Sequence, residues 1–293
     1  MTLSELIVES ASQLSDACLS FGHGTDNAYD EAAWLTLWKL GFPLDSDPAE
    51  LTRELSIDEI ESVRVLVQTR IDTRKPAAYL MQEAWLQGVP FYIDERSIVP
   101  RSFIAELLAD GGIDYWLGEH TQRVLDLCTG NGSLAVLAAM TYPEVSVVGA
   151  DISPDALAVA AINVAQHQMQ ERITLLESEG LNKVPGVFDL ILCNPPYVCA
   201  SSMQALPAEF LAEPALALAG GEDGMDFIRQ LFADAPSKMQ EKAVLVLEIG
   251  NEREHFENAF PHLEVIWLET SAGEDQVLLV ARAALLALPS QKQ

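Results

Sequence analysis

Apolar positions recur at helical spacing through the first eighty residues. Leu3, Ile7 and Leu14 share one face, Trp34, Leu35, Trp38 and Leu40 a second, and Ile57, Ile60, Val63, Leu66, Val67 and Ile71 a third, which predicts three helices. The connectors FGHGTDN and GFPLDSDP carry the Gly, Pro, Asp and Asn that turns require. Between Trp85 and Pro100 the period changes. WLQGVPFYIDERSIVP alternates aromatic and β-branched residues around a polar break, the pattern of a short hairpin. After Gly118 apolar runs expected as strands (Arg123–Cys128, Val145–Ala150, Ile173–Leu176, Phe188–Cys193, Val244–Ile249, Val265–Leu268, Val277–Val280) are interleaved with helical stretches. One of these covers Leu134–Met140; another starts at Ser153-Pro154-Asp155, because serine caps orphan N–H groups and proline fits the first helical position. The alternation predicts an α/β fold with a doubly wound, mostly parallel sheet.

At 293 residues and 49% hydrophobic composition, the chain can bury the cores of about two domains. No run approaches the ~18 apolar residues of a membrane span, and MTLSELIVESASQLSD carries acids where a secretion signal has a basic flank. Cys18, Cys128, Cys193 and Cys199 are scattered, so neither a disulfide framework nor a bound metal is expected. A cytoplasmic setting follows as the expectation. The net charge of −27, spread over both halves of the chain, leaves no basic stripe for phosphates. It argues against tight nucleic-acid binding and favours a basic protein partner, although solubility or a salty cytosol accounts for the same charge.

The first candidate site follows the first strand, where doubly wound sheets bind ligands. Asp126-Leu-Cys-Thr-Gly130-Asn-Gly132-Ser places two glycines where the backbone must turn sharply and approach a ligand. Asp151, nineteen residues beyond Gly132 at the end of the second strand, is placed to accept from both ribose hydroxyls of a nucleoside. Gly130-Asn-Gly132-Ser-Leu-Ala135 also satisfies the dinucleotide fingerprint, so the turn alone leaves the ligand open. Asp126 tilts it towards S-adenosylmethionine, whose ammonium an upstream acid can hold, directly or through water. Glu179, after the third strand, is placed to accept from an adenine amino group.

The second candidate is Asn194-Pro195-Pro196-Tyr197, directly after Phe188–Cys193. Consecutive prolines stiffen the backbone and remove two N–H donors, so the loop presents acceptors. The Asn194 side-chain oxygen and the Pro195 carbonyl, with Tyr197 as an apolar wall, suit the grip of a planar NH₂ group. A sulfonium methyl donor is reactive enough that such a site need only orient the nitrogen, and positioning can supply ~7–11 kcal/mol. His23, Trp34 and Trp38 read as structural: a loop histidine and a helix core face.

FGHGTDNAYDEA, RKPAAYL, FYIDERSIVPRS, VLDLCTGNG, ADISPDALAVA, NPPYV, the stretch from Glu213 to Gly224 and LEIGN together resemble the HemK-type protein-(glutamine-N5) methyltransferases, and within them the PrmB branch, which acts on large-subunit ribosomal protein L-three. The resemblance spans essentially the whole chain. It implies a Rossmann-like class I S-adenosylmethionine-dependent methyltransferase fold, with a seven-stranded sheet whose last strand is antiparallel. It also implies an organisation: an N-terminal helical substrate-recognition domain over 1–84, a β-hairpin linker over 85–102, and the methyltransferase domain over 103–293. Carried over by position, Asp126, Cys128, Thr129, Gly130, Asn131, Gly132, Asp151, Glu179 and Asn194 would bind S-adenosylmethionine, with S-adenosylhomocysteine as product. Asn194, Pro195, Pro196 and Tyr197 would hold the target amide. Cys128 stands where release-factor relatives have glycine, and Glu179 where aspartate is usual; Met81 and Phe103 interrupt stretches that otherwise fit.

The expected activity is methylation of a glutamine amide in ribosomal protein L-three. Glutamine methylation of release factors is the nearest alternative. DNA adenine amino-methylation would use the same clamp on a flipped base, but the acidic charge opposes it. A nicotinamide-dependent dehydrogenase leaves Asn194–Tyr197 without a purpose, and a non-catalytic binding protein with a retained pocket is a further class.

Overall fold

Alternate residues along the central strands feed two different cores, and this division organises the molecule. In the computed structural model, which describes residues 1–47 and 49–288, a helical region comes first: α1 (Leu3–Asp16), α2 (Ala28–Leu40), α3 (Ile57–Thr73) and α4 (Ala77–Met81). Capping boxes start α1 (Thr2 with Glu5) and α3 (Ser56 with Glu59), and Asn27 caps α2. A hairpin follows, β1 (Ala84–Leu86) paired antiparallel with β2 (Val89–Phe91), turning through Gln87 and Gly88, both at positive φ. Residues 92–103 then run without regular structure into α5 (Ile104–Ala109).

The remainder alternates strand and helix: β3 (Arg123–Leu127), α6 (Ser133–Thr141), β4 (Ser146–Asp151), α7 (Pro154–Gln166), β5 (Ile173–Glu177), β6 (Phe188–Cys193), α8 (Ala200–Met203), α9 (Ala208–Leu211), α10 (Asp226–Asp234), β7 (Met239–Glu248), α11 (Arg253–Ala259), β8 (Ile266–Thr270), β9 (Gly273–Ala281) and α12 (Arg282–Leu286). The seven strands β3 to β9 form one sheet in the order β5-β4-β3-β6-β7-β9-β8. The pairs β5-β4, β4-β3, β3-β6 and β6-β7 are parallel; the last strand, β9, runs antiparallel to both β7 and β8.

One sheet face packs Val124, Leu190, Leu192, Val244 and Val246 against α5 and α6. The other packs Leu125, Leu127, Ile191, Leu245 and Leu247 against α10 and α11. Such strands are buried on both sides, so they read as continuous apolar runs. A third core, around Leu3, Leu35, Val63 and Val67, belongs to the helical region and takes in Val159 of α7. Trp34 is buried in it and Trp38 packs against it, as a helix core face should. Among the described residues, no helix is long and apolar enough to cross a membrane.

Candidate active site

Because β3, β4 and β6 are parallel neighbours, the segments that leave their carboxyl ends gather at one edge of the sheet. The first is the glycine turn. Gly130 lies at φ 55° and Gly132 at φ 80°, and a Cβ on Gly132 would sit 3.0 Å from the Ala160 Cβ of α7. Cys128 adopts φ 62°, a left-handed conformation that explains why glycine is the easier residue there. The Asp151 carboxylate accepts from Gly130 N–H at 2.8 Å and Ser153 N–H at 2.9 Å, which fixes its orientation at the end of β4. Burial pushes its acid up, against the pull of those N–H groups.

A cavity of about 240 Å³ opens here, and Cys128, Gly130, Asp151, Glu179, Asn194 and Pro196 all line it. Pro195 is buried and Tyr197 half-buried, and neither is on the cavity wall. Asp126 is fully buried behind the turn, off the cavity wall, where one carboxylate oxygen accepts from Thr129 Oγ1 and from Ala135 N–H at 2.9 Å. Burial raises its acid to about 7. Thr129, Asn131 and Gly132 are likewise off the wall and build the turn: Asn131 Oδ1 accepts from Ser133 N–H at the start of α6.

The other side of the cavity comes from segments that sequence spacing could not place. Arg96, Ser97 and Ile98 line it from the stretch after the hairpin, and Pro214, Leu216 and Ala217 from beyond α9. Asn131 Nδ2 donates to the Ile98 carbonyl at 2.9 Å, and Tyr79 OH to the Ser97 carbonyl at 2.6 Å. Asn163, fully buried on α7, donates to the carbonyls of both Tyr92 (3.0 Å) and Asn131 (2.8 Å), binding the stretch to the turn. The polar Asn in the run Ala-Ile-Asn-Val-Ala was the available signal.

Glu213, just before the wall residue Pro214, is anchored in a buried ionic cluster. It accepts from Val99 N–H at 2.9 Å and from both terminal nitrogens of Arg101 at 2.7 and 2.8 Å, and His23 lies 3.4 Å away. Burial raises its acid, but Arg101 and His23 outweigh it and hold it at about 2. A second cluster pairs fully buried Arg70 with Glu31 at 2.9 Å and with Glu209 at 3.5 Å; Arg74 reaches Glu209 at 2.8 Å. Together they dock the helical region onto the segment after β6. His23 is thus a buried packing residue, its ring tilted 47° against that of Phe210 at 4.3 Å between centroids.

Tyr197 is cradled by glycines. A Cβ would lie 2.7 Å from Tyr197 Cα if placed on Gly220 and 2.5 Å from Tyr197 Cε2 if placed on Gly250, and one on Gly224 would strike the Tyr197 carbonyl. Cys199, two residues on, lies with Glu252 and His255 inside 4.8 Å, a grouping invisible in sequence, and His255 Nδ1 is hydrogen-bonded to Glu252 at 2.6 Å.

The chain is 49% identical over 287 residues to the ribosomal protein uL3 glutamine methyltransferase of Bordetella pertussis, covering 97% of this chain and 96% of that protein. The enzyme of the same name from Burkholderia pseudomallei is 47% identical, over 98% of this chain and 96% of the relative. The chain belongs to this methyltransferase family. The family model for the methyltransferase small domain matches residues 113–255, from just after α5 into α11. Among solved structures, the catalytic domain of hMettl16 in complex with MAT2A 3'UTR hairpin 6 aligns with a TM-score of 0.52 at 13% identity, over 77% of this chain and 81% of that one, a likeness of fold. A seven-stranded methyltransferase sheet with its last strand antiparallel is therefore the architecture of this family member.

Proposed function

We propose that this chain transfers a methyl group from S-adenosylmethionine to the side-chain amide nitrogen, N5, of a glutamine in ribosomal protein uL3. The observation that carries the reading is the meeting of Asn194 and Pro196 with Gly130, Asp151 and Glu179 on one cavity, so that an amide grip and a nucleoside-binding edge share a single space. The curated relatives supply the substrate.

The residues present fit the donor. The cavity contains a buried hydroxyl, Ser97 Oγ, without a hydrogen-bond partner, and a Cβ on Gly130 would lie 3.3 Å from it. Asp151 would take the ribose hydroxyls and Glu179 the adenine side, with Cys128 and Gly130 along the turn. Bound there, S-adenosylmethionine supplies a methyl group on a positively charged sulfur. The protein's part is orientation. The Asn194 side-chain oxygen and the Pro195 carbonyl accept from the two amide hydrogens and hold the nitrogen lone pair towards the donor side of the cavity. The prolines keep these acceptors fixed, so little reorganisation is needed when substrate arrives.

The same reading assigns substrate recognition to residues 1–84, a hairpin linker to 85–102 and methyl transfer to 103–293. The net charge of −27 complements a basic ribosomal protein and speeds encounter in a salt-sensitive way, in the cytoplasm where ribosomes are assembled. The test is incubation with methyl-labelled S-adenosylmethionine and, in parallel, uL3, release factors and DNA. Label on uL3 alone is expected; label on release factors or DNA in preference to uL3 overturns the substrate assignment.

A further inference from the structure

Glu248 ends β7, is 2% exposed, and has no part in the chemistry above. Its Oε2 accepts from Ser102 Oγ at 2.5 Å and from Phe103 N–H at 2.9 Å, while Oε1 faces the Tyr197 hydroxyl at 3.5 Å. Ser102 Oγ in turn accepts from Ile104 N–H at 3.2 Å, at the start of α5. Three segments distant in the chain therefore converge on one carboxylate: the stretch after the hairpin, the loop after β6, and the end of β7.

An apolar side chain of similar volume fills a buried place at lower cost than a carboxylate, which must be compensated by bonded donors. Here the donors come from the segments that flank the amide grip. Burial pushes the Glu248 acid up to about 7, against the bonds from Ser102 and Phe103 and the charge of Arg101. The charged and titratable groups around it are Arg101 from the stretch after the hairpin and Tyr197 from the loop after β6, with Glu213 beyond Arg101. Tyr197 is confined by Gly220, Gly224 and Gly250 along its backbone and ring, so Glu248 supplies the polar anchor at the far end of the ring.

We propose that Glu248 is a positioning residue, fixing the Tyr197 ring and the Ser102–Phe103 backbone in one register so that the Asn194–Pro195 acceptors meet the target amide at a constant position. The proposal rests on the methyl-transfer reading for its kinetic consequence but not for its geometric one.

The experiment compares full-length wild type, E248Q and E248A. Tyrosine carries ¹³C at Cζ, and Y197F assigns the Tyr197 resonance. In wild type this resonance is expected to shift as pH passes through neutrality, and in E248Q to lose that shift. With uL3 and S-adenosylmethionine, E248A is expected to lower kcat about tenfold or more, with KM for both changing less than about threefold, and E248Q to recover most of the rate. A Tyr197 resonance that is the same in wild type and E248Q across the pH range overturns the proposal, as does an E248A enzyme with wild-type kcat. If E248A does not fold, the E248Q resonance decides. If wild type fails to methylate uL3, the functional reading falls, while the Tyr197 resonance still reports whether Glu248 holds it.

Discussion

A Cβ placed on Gly250 would lie 2.5 Å from Cε2 of Tyr197. Gly250, two residues past the end of β7, thus sets how closely the loop after β6 can approach, and its φ of 54° adds a backbone reason for glycine. G250A should displace the Tyr197 ring and lower kcat about tenfold or more, with little change in S-adenosylmethionine affinity, because the nucleoside edge at Gly130 and Asp151 lies on other strands. Steady-state kinetics beside calorimetric titration of the donor measures both.

Asn194 lines the cavity proposed to bring target and donor together. N194A removes an acceptor without opening the sheet, so kcat should fall at least about a hundredfold while the fold persists. Donor titration of the variant should still show binding, with circular dichroism as the check on folding.

Arg101 and Glu213 form a pair in which the Glu213 side chain is fully buried. R101A strands that carboxylate beside His23 and should cost about 3–5 kcal/mol of stability, since a buried charge loses its compensation. Urea unfolding provides the number. Loss of activity should accompany it, because Pro214 on the cavity wall follows Glu213 directly.

The buried acids give opposite pH signatures. Asp126 has its folded acid raised to about 7, so the folded state holds a proton that the unfolded state releases; this contribution is full below about pH 4 and is lost as pH rises through 7. Glu213, held at about 2, contributes above its unfolded value and loses the contribution as pH falls towards 2. D126N should therefore flatten the decline in stability between about pH 4 and 7 relative to wild type, measured by denaturant unfolding across that range.

The parallel strands were legible because burial on both faces leaves nearly unbroken apolar runs, as in Phe188–Cys193, which the structure matches end to end. β7 was read too short: it begins at Met239, and its exposed Gln240, Glu241 and Lys242 hide the strand in a polar stretch. The short helices α8 and α9 carry too few turns for periodicity to register. At the site, Gly130, Asp151 and Asn194 were visible because strand-end turns concentrate chemistry in a few adjacent residues. The burial of Asp126 behind the turn was not legible, since spacing along a strand does not say which way a side chain faces. Ser97, Glu213 and Glu248 were hidden because their partners lie far away in sequence, as with Arg101 and Glu213, 112 positions apart.

Fragmentation mass spectrometry of uL3 after reaction tests the central claim most directly. One methyl group on the side-chain nitrogen of a single glutamine, present with wild type and absent with N194A, is the predicted result. Methyl groups on lysine, arginine or a backbone amine, or equal glutamine methylation by N194A, would contradict it.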